Sequence, residues 1–140
     1  MLANEIGLRN KPDAARTGNM EMKTLKVGIA SYKEIKARTI AIAKGEIKPK
    51  SSDPKVWFIS PESFARLLSN RNRALLAQIA VTHPRSLHEL AASSGRTAGD
   101  LSRTLRTMER YGLVRLHKGE GGRLRPEVAY RDVLLQMSLW

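Results

Sequence analysis

Cysteine is missing from the 140 residues, which rules out a disulfide framework, a thiol nucleophile and any cysteine-ligated zinc site. Aromatic residues are scarce, two Trp, three Tyr and two Phe, so the core has to be built mainly from Leu, Ile, Val and Ala. No apolar run reaches the roughly 18 residues that mark a membrane-spanning helix. The N-terminus also lacks the continuous apolar stretch of a secretory signal. Acidic residues are few, 13 against 25 Lys and Arg, leaving a net charge of +12. The length fits one domain, or one domain with an appendage, and the absences together predict a cytoplasmic chain with no membrane contact.

The positive excess is clustered. Residues 23–55 carry nine basic side chains against three acidic, and residues 83–125 carry nine against four. Residues 1–22 are balanced at three of each, and residues 126–140 carry one basic against two acidic. Solubility alone does not require clustering. Two basic blocks favour a polyanionic partner, because each phosphate they neutralise releases condensed counterions.

Residues 1–22 show no sustained period and contain Pro12, Gly18 and Asn19. They read as a disordered or loosely attached tail, or as lying upstream of a true start at Met20 or Met22. Residues 24–29, TLKVGI, alternate as a strand. Ser31 with Glu34 forms a capping-box pattern for a helix through about Lys44, closed by Gly45. Residues 46–55 read as a linker, and residues 56–60, VWFIS, as a second strand that can pair with the first. Ser60 and Pro61 then open a short helix. The next helix directs Leu75, Leu76, Ile79 and Ala80 inward and stops before Pro84.

Ser86 and Glu89 repeat the capping-box pattern, with Leu87, Leu90 and Ala91 on one face and Gly95 at the end. Thr97 then caps a longer helix whose apolar stripe is Leu101, Leu105 and Met108, and Gly112 stops it. LVRLHK, the GEGG turn and RLRPEVAY complete a hairpin. This order is that of a winged helix-turn-helix. With the stripe inward, a 100° step per residue places Ala98, Gly99, Ser102, Arg103, Arg106 and Arg110 on the opposite side. Small residues there let the backbone approach base edges, and arginines reach phosphates or guanine. The candidate DNA-binding set is Arg96, Thr97, Ala98, Gly99, Ser102, Arg103, Arg106 and Arg110, joined by Lys118, Arg123 and Arg125 of the wing.

Catalytic signals are weak. His83, His88 and His117 have no metal-ligand spacing, and there is no glycine-rich phosphate loop and no G-x-S-x-G elbow. The chain is therefore expected to be neither an enzyme nor a metal or cofactor binder.

Four stretches carry a family resemblance: KVGIASYKEIKARTIAIAKGE, PKVWFIS, NRALLAQIA and LHELAASSGRTAGDLSRTLRTMERYGLVRL. From about Met22 to Tyr130 the chain resembles the prokaryotic winged helix-turn-helix transcriptional regulators of the MarR-like type, some of which are antitoxins beside toxin genes. It departs from them at Ala98 and Gly99, which are small where family members often carry a longer polar side chain. The resemblance implies a dimeric regulator or a toxin neutraliser.

The expected fold is α+β and mostly helical. It has a basic strand-helix-strand extension at 23–60, a winged helix-turn-helix at 61–130 and a C-terminal apolar segment at 131–140. The expected function is sequence-specific binding of double-stranded DNA, repressing the chain's own operon. The alternative is an antitoxin-type module that holds a partner toxin, with DNA binding secondary. A homodimer is expected to pair through residues 24–44 or VLLQMSLW, with its third helices one DNA turn apart, about 34 Å, or a multiple of it.

Overall fold

Hydroxyl side chains start the helices. In the computed structural model, which describes residues 23–140, Ser31, Ser60, Ser69, Ser86 and Thr97 each accept a hydrogen bond from the backbone N–H three residues on. Each such cap contributes about 1 kcal/mol by satisfying a donor that the helix leaves without a partner. The helices they open are α1 (Tyr32–Ala43), α2 (Pro61–Leu67), α3 (Asn70–Thr82), α4 (Leu87–Ser94) and α5 (Ala98–Arg110). The tail at 1–22 lies outside the described residues.

At Ser31 both halves of the capping box form: Glu34 N donates to Ser31 Oγ (3.1 Å) and Ser31 N donates to Glu34 Oε1 (2.8 Å). The box expected at Ser86 forms only in part. Glu89 N donates to Ser86 Oγ, but the Glu89 carboxylate accepts from Arg85 N at 2.6 Å instead of from Ser86 N. Gly95 and Gly112 end their helices with φ of +78° and +79°, a left-handed turn that a Cβ would disfavour. His83 makes the same turn at φ +48° after α3, and buried Pro84 follows it.

Five strands complete the fold: β1 (Lys23–Ile29), β2 (Val56–Phe58), β3 (Val114–Lys118), β4 (Leu124–Val128) and β5 (Tyr130–Met137). β1 is central in a three-stranded sheet, with β2 and β5 parallel to it on either side. A parallel pair needs a crossover, and α1 supplies it between β1 and β2. β3 and β4 form a separate antiparallel hairpin, from Val114 opposite Val128 to Lys118 opposite Leu124. The fold is α+β, with five helices and two small sheets among the described residues.

The C-terminus departs from the sequence reading. Residues 131–140 were expected as an appended apolar segment, yet β5 runs beside β1 from Lys23–Tyr130 to Ile29–Met137. Its period-two signal is broken by the Leu134–Leu135 doublet, and its partner lies about a hundred residues upstream. The 23–60 extension and the C-terminus therefore share one sheet.

That sheet belongs to the same core as the helices. Leu25, Val27 and Phe58 cluster with Leu75, Ile79, Leu90, Leu101, Leu105, Met108, Leu113 and Val114. Phe58 stacks on Tyr111, with centroids 4.1 Å apart and rings 3° from parallel, and meets Phe64 edge-on at 5.3 Å. One finer expectation fails: Ala80 is exposed, because α3 buries Leu75 and Ile79 and, in part, Leu76.

Gly28 is fixed by its neighbour across the strands. A Cβ there would lie 2.5 Å from Trp57 Cζ3 and 2.6 Å from Cε3. Gly28→Ala is therefore expected to destabilise the fold by about 1–3 kcal/mol through overpacking. Urea unfolding measures this, and a midpoint equal to that of the parent would show that the indole moves aside freely.

Candidate nucleic-acid interface

The rotation of α5 is set by its buried stripe. Leu101, Leu105 and Met108 are all 0% exposed, so the helix cannot turn without opening the core. Ala98, Gly99, Arg103, Arg106 and Arg110 are consequently exposed, and Ser102 is half-buried. Arg106 Nε donates to Ser102 Oγ (3.2 Å), and Arg110 Nη2 donates to Thr107 Oγ1 (3.3 Å). A Cβ built on Gly99 would meet only Arg103 Nη1, at 3.8 Å, so the helix start is open above that guanidinium. Thr97 spends its oxygen on the cap, accepting from Asp100 N at 3.0 Å.

Arg96 does not join this face. It is 9% exposed, and its guanidinium donates to Asp100 Oδ2 (2.7 Å), Asn72 Oδ1 (3.0 Å) and Thr104 Oγ1 (3.2 Å). Its donors tie the α4–α5 turn to α3, so the expectation of an external contact at Arg96 is overturned. The physical reason is Asp100, which sits one turn ahead and draws the side chain inward. Arg71, missed in the sequence, lies beside this cluster with Nη2 3.8 Å from Asp100 Oδ2. Arg73 is engaged otherwise, donating through Nε to Leu68 O at the end of α2.

The hairpin is fastened to the end of α5. Leu113 N donates to Met108 O (2.9 Å), and Leu116 N donates to Glu109 Oε2 (3.1 Å). Its turn uses Gly121 and Gly122 at φ +68° and +77°, and exposes Lys118 and Arg123. Arg125 stands opposite His117 in the ladder and is exposed. Glu127 is the acidic exception. His117 Nε2 lies 2.7 Å from its Oε1 and Arg115 Nη1 lies 3.6 Å from it, so the acid is neutralised locally. The His117 hydrogen bond, supported by Arg115 and Arg125, holds the Glu127 carboxyl below its ordinary pKa.

The basic block at 23–55 is partly self-paired. Arg38 Nη2 donates to Asp53 Oδ2 (3.1 Å), and its guanidinium lies 5.6 Å from the centroid of the Trp57 ring. Between α1 and the following loop is a cavity of about 320 Å³, lined by Ile35, Arg38, Ile42, Lys50, Asp53 and Trp57. Of its charged groups, Arg38 and Asp53 are paired with each other. Among the described residues no group of His, Cys, Asp and Glu is arranged to hold a metal ion, and no helix is long and apolar enough to cross a membrane.

Residues 67–135 match the model of the HVO_A0114 family, and this part of the chain is similar to that family. The match takes in α3, α4, α5 and the hairpin, and runs into β5, leaving the β1–α1–β2 unit outside. No curated protein and no solved structure matches the chain.

Replacing Arg96 separates structure from contact. Arg96→Ala strands Asn72 and Asp100, and is expected to cost about 2 kcal/mol. Arg103→Ala is expected to stay within about 0.5 kcal/mol of the parent, as exposed substitutions do. Chemical denaturation of both variants makes the comparison, and equal midpoints would contradict the assignment of Arg96 to the interior.

Asp100 adds a pH limb. The hydrogen bond from Arg96, with Arg71 and Arg103 nearby, lowers its pKa below the ordinary 3.8. The folded chain therefore favours the carboxylate more than the unfolded chain does. That stabilisation is complete above the unfolded value, and is lost as pH falls below 3.8 through the folded value. Asp100→Asn should flatten this acid limb in denaturation followed from pH 6 to pH 2, and an unchanged limb would place the dependence elsewhere.

Proposed function

We propose that the protein is a winged helix-turn-helix regulator that binds double-stranded DNA sequence-specifically and represses its own operon. In this reading α4 and α5 are the helix-turn-helix pair, and the β3–β4 hairpin is the wing. One observation carries it: the fully buried stripe of α5 forces a row of Arg103, Arg106 and Arg110 outward, with half-buried Ser102 beside it and a small-residue helix start. Side chains of this kind suit a major groove, where arginine can bind guanine O6 and N7 through two hydrogen bonds. Ala98 and Gly99 contribute by leaving room for the backbone rather than by donating to bases. Thr97 can still offer its hydroxyl proton to a phosphate while its oxygen caps the helix.

The wing supplies grip. Lys118, Arg123 and Arg125 are exposed around the glycine turn, and contacts from such a tip go to the sugar-phosphate backbone. The second reading, a module that holds a toxin, draws on the exposed Tyr32 (70%), Ile40 (45%) and Ile47 (40%), an apolar set within the basic block.

Arg103 and Arg123 distinguish reading from gripping. Arg103→Ala should cost about 1–3 kcal/mol on the specific site and much less on random duplex. Arg123→Ala should weaken both duplexes alike and reduce the salt slope by about 1, since one fewer counterion is released. A salt titration on a site taken from the upstream region of the gene, and on its scrambled form, gives both quantities. Unchanged binding in both variants, with a partner toxin still neutralised, would transfer the assignment to the second reading.

A further inference from the structure

We propose that β5 is the surface on which two copies of this chain meet, their β5 strands pairing antiparallel about a two-fold axis to join both three-stranded sheets into one. Pairing through this strand does not depend on whether α5 reads DNA.

The two edges of the sheet are treated differently. β2 is three residues long, with Pro54 before it and Pro61 after it, which is how a sheet edge is blunted against further pairing. β5 is eight residues long and contains no proline. One side of β5 is hydrogen-bonded to β1, and among the described residues its other side pairs with nothing. Large apolar side chains stand exposed along the same strand: Leu134 (55%), Leu135 (38%) and Met137 (44%). Leu135 and Met137 continue the rows of Val27 and Ile29, so they extend the core face beyond the point where the helices cover it.

Charge selects the occupant. Residues 126–140 hold one basic and two acidic side chains, whereas every other described segment has a basic excess within a chain of net charge +12. Two such chains repel each other over most of their surface, and this patch is where they can approach. Nucleic acid gains no counterion release from a patch that is not positive.

The strand is also complementary to itself. A two-fold axis at Leu134 sets Val133 against Leu135 of the second copy on the core face and Leu134 against itself on the other; an axis at Leu135 sets Val133 against Met137 and Leu135 against itself on the core face. Either axis puts Arg131 opposite Met137 or Leu139 of the second copy, so no like charges lie across the new ladder.

The absence of cysteine makes the test clean. Sedimentation equilibrium of the full chain at micromolar concentration should give a dimer. Residues opposite one another in an antiparallel ladder have Cα atoms about 4.5–5.5 Å apart, within the span of a disulfide. Under mild oxidation Leu134→Cys or Leu135→Cys should therefore cross-link to its own copy, whereas Arg131→Cys should not. Leu134→Lys, which sets an ammonium group at the axis or one residue from it, should shift the mass to that of a monomer while the far-ultraviolet dichroism is retained. A monomeric parent chain overturns the proposal, whether the edge is free or covered by residues 1–22. So does a dimer in which neither leucine position cross-links, or in which Arg131→Cys does. If Leu134→Lys fails to fold, the cysteine variants still decide.

Discussion

The three-stranded sheet meets the helices where Phe58 packs. Phe58 is one of seven aromatic residues in the chain, is 1% exposed, and lies between Tyr111 at the end of α5 and Phe64 in α2. That contact joins the β1–α1–β2 unit to the helices, and burial of one large ring contributes on the order of 2–3 kcal/mol. With so few aromatics, aliphatic side chains fill the rest, and the helices they come from are held in narrow orientations. α5 is held most tightly, by three side chains with no exposure. A helix pinned in this way presents a fixed outer face, which a surface that reads another molecule requires.

The arginines divide by environment, not by position in a motif. Arg96 and Arg103 are seven residues apart and equally plausible as contacts in the sequence, yet one is buried in a polar cluster and the other is exposed. An arginine can be taken inside only if its donors are matched, because burying an unmatched charge costs several kcal/mol. Asn72, Asp100 and Thr104 provide that match. Arg38 follows the same logic in milder form with Asp53 and Trp57. The cations left over, on α5 and at the hairpin tip, are the ones whose charge is available to a partner.

Much of the helical part was legible because its signals are local. Ser31, Ser60, Ser86 and Thr97 stand three residues before the N–H groups they accept from, and Gly45, Gly95 and Gly112 mark three of the ends. The outward set of α5 was legible too, since the stripe at Leu101, Leu105 and Met108 fixes its complement by rotation alone. What could not be read depends on distant partners. β5 has no clean alternation and is a strand because β1 lies beside it. Ala80 falls just outside the stripe of Leu75, Leu76 and Ile79, and the fate of Arg96 was decided partly by Asn72, 24 residues away. Asp100 at i+4 was the one local clue, and it reads equally well as a helix-dipole residue in a first turn.

The hairpin shows how a basic surface can tolerate acid. Glu127 standing alone would lower the positive potential of the hairpin. It is instead enclosed by His117 and Arg115, with Arg125 adding to the field that keeps it ionised. The acid thereby orders the cations along the strand ladder while removing little of the charge at the tip. Lys118 and Arg123 lie beyond it, next to glycines that add no bulk and permit the tight turn. An exposed pair of cations on a short rigid support loses less side-chain freedom on meeting a polyanion than the same pair on a long loop would. The ion pairs behind the turn therefore matter less for stability, where exposed pairs contribute little, than for holding the ladder that carries the tip.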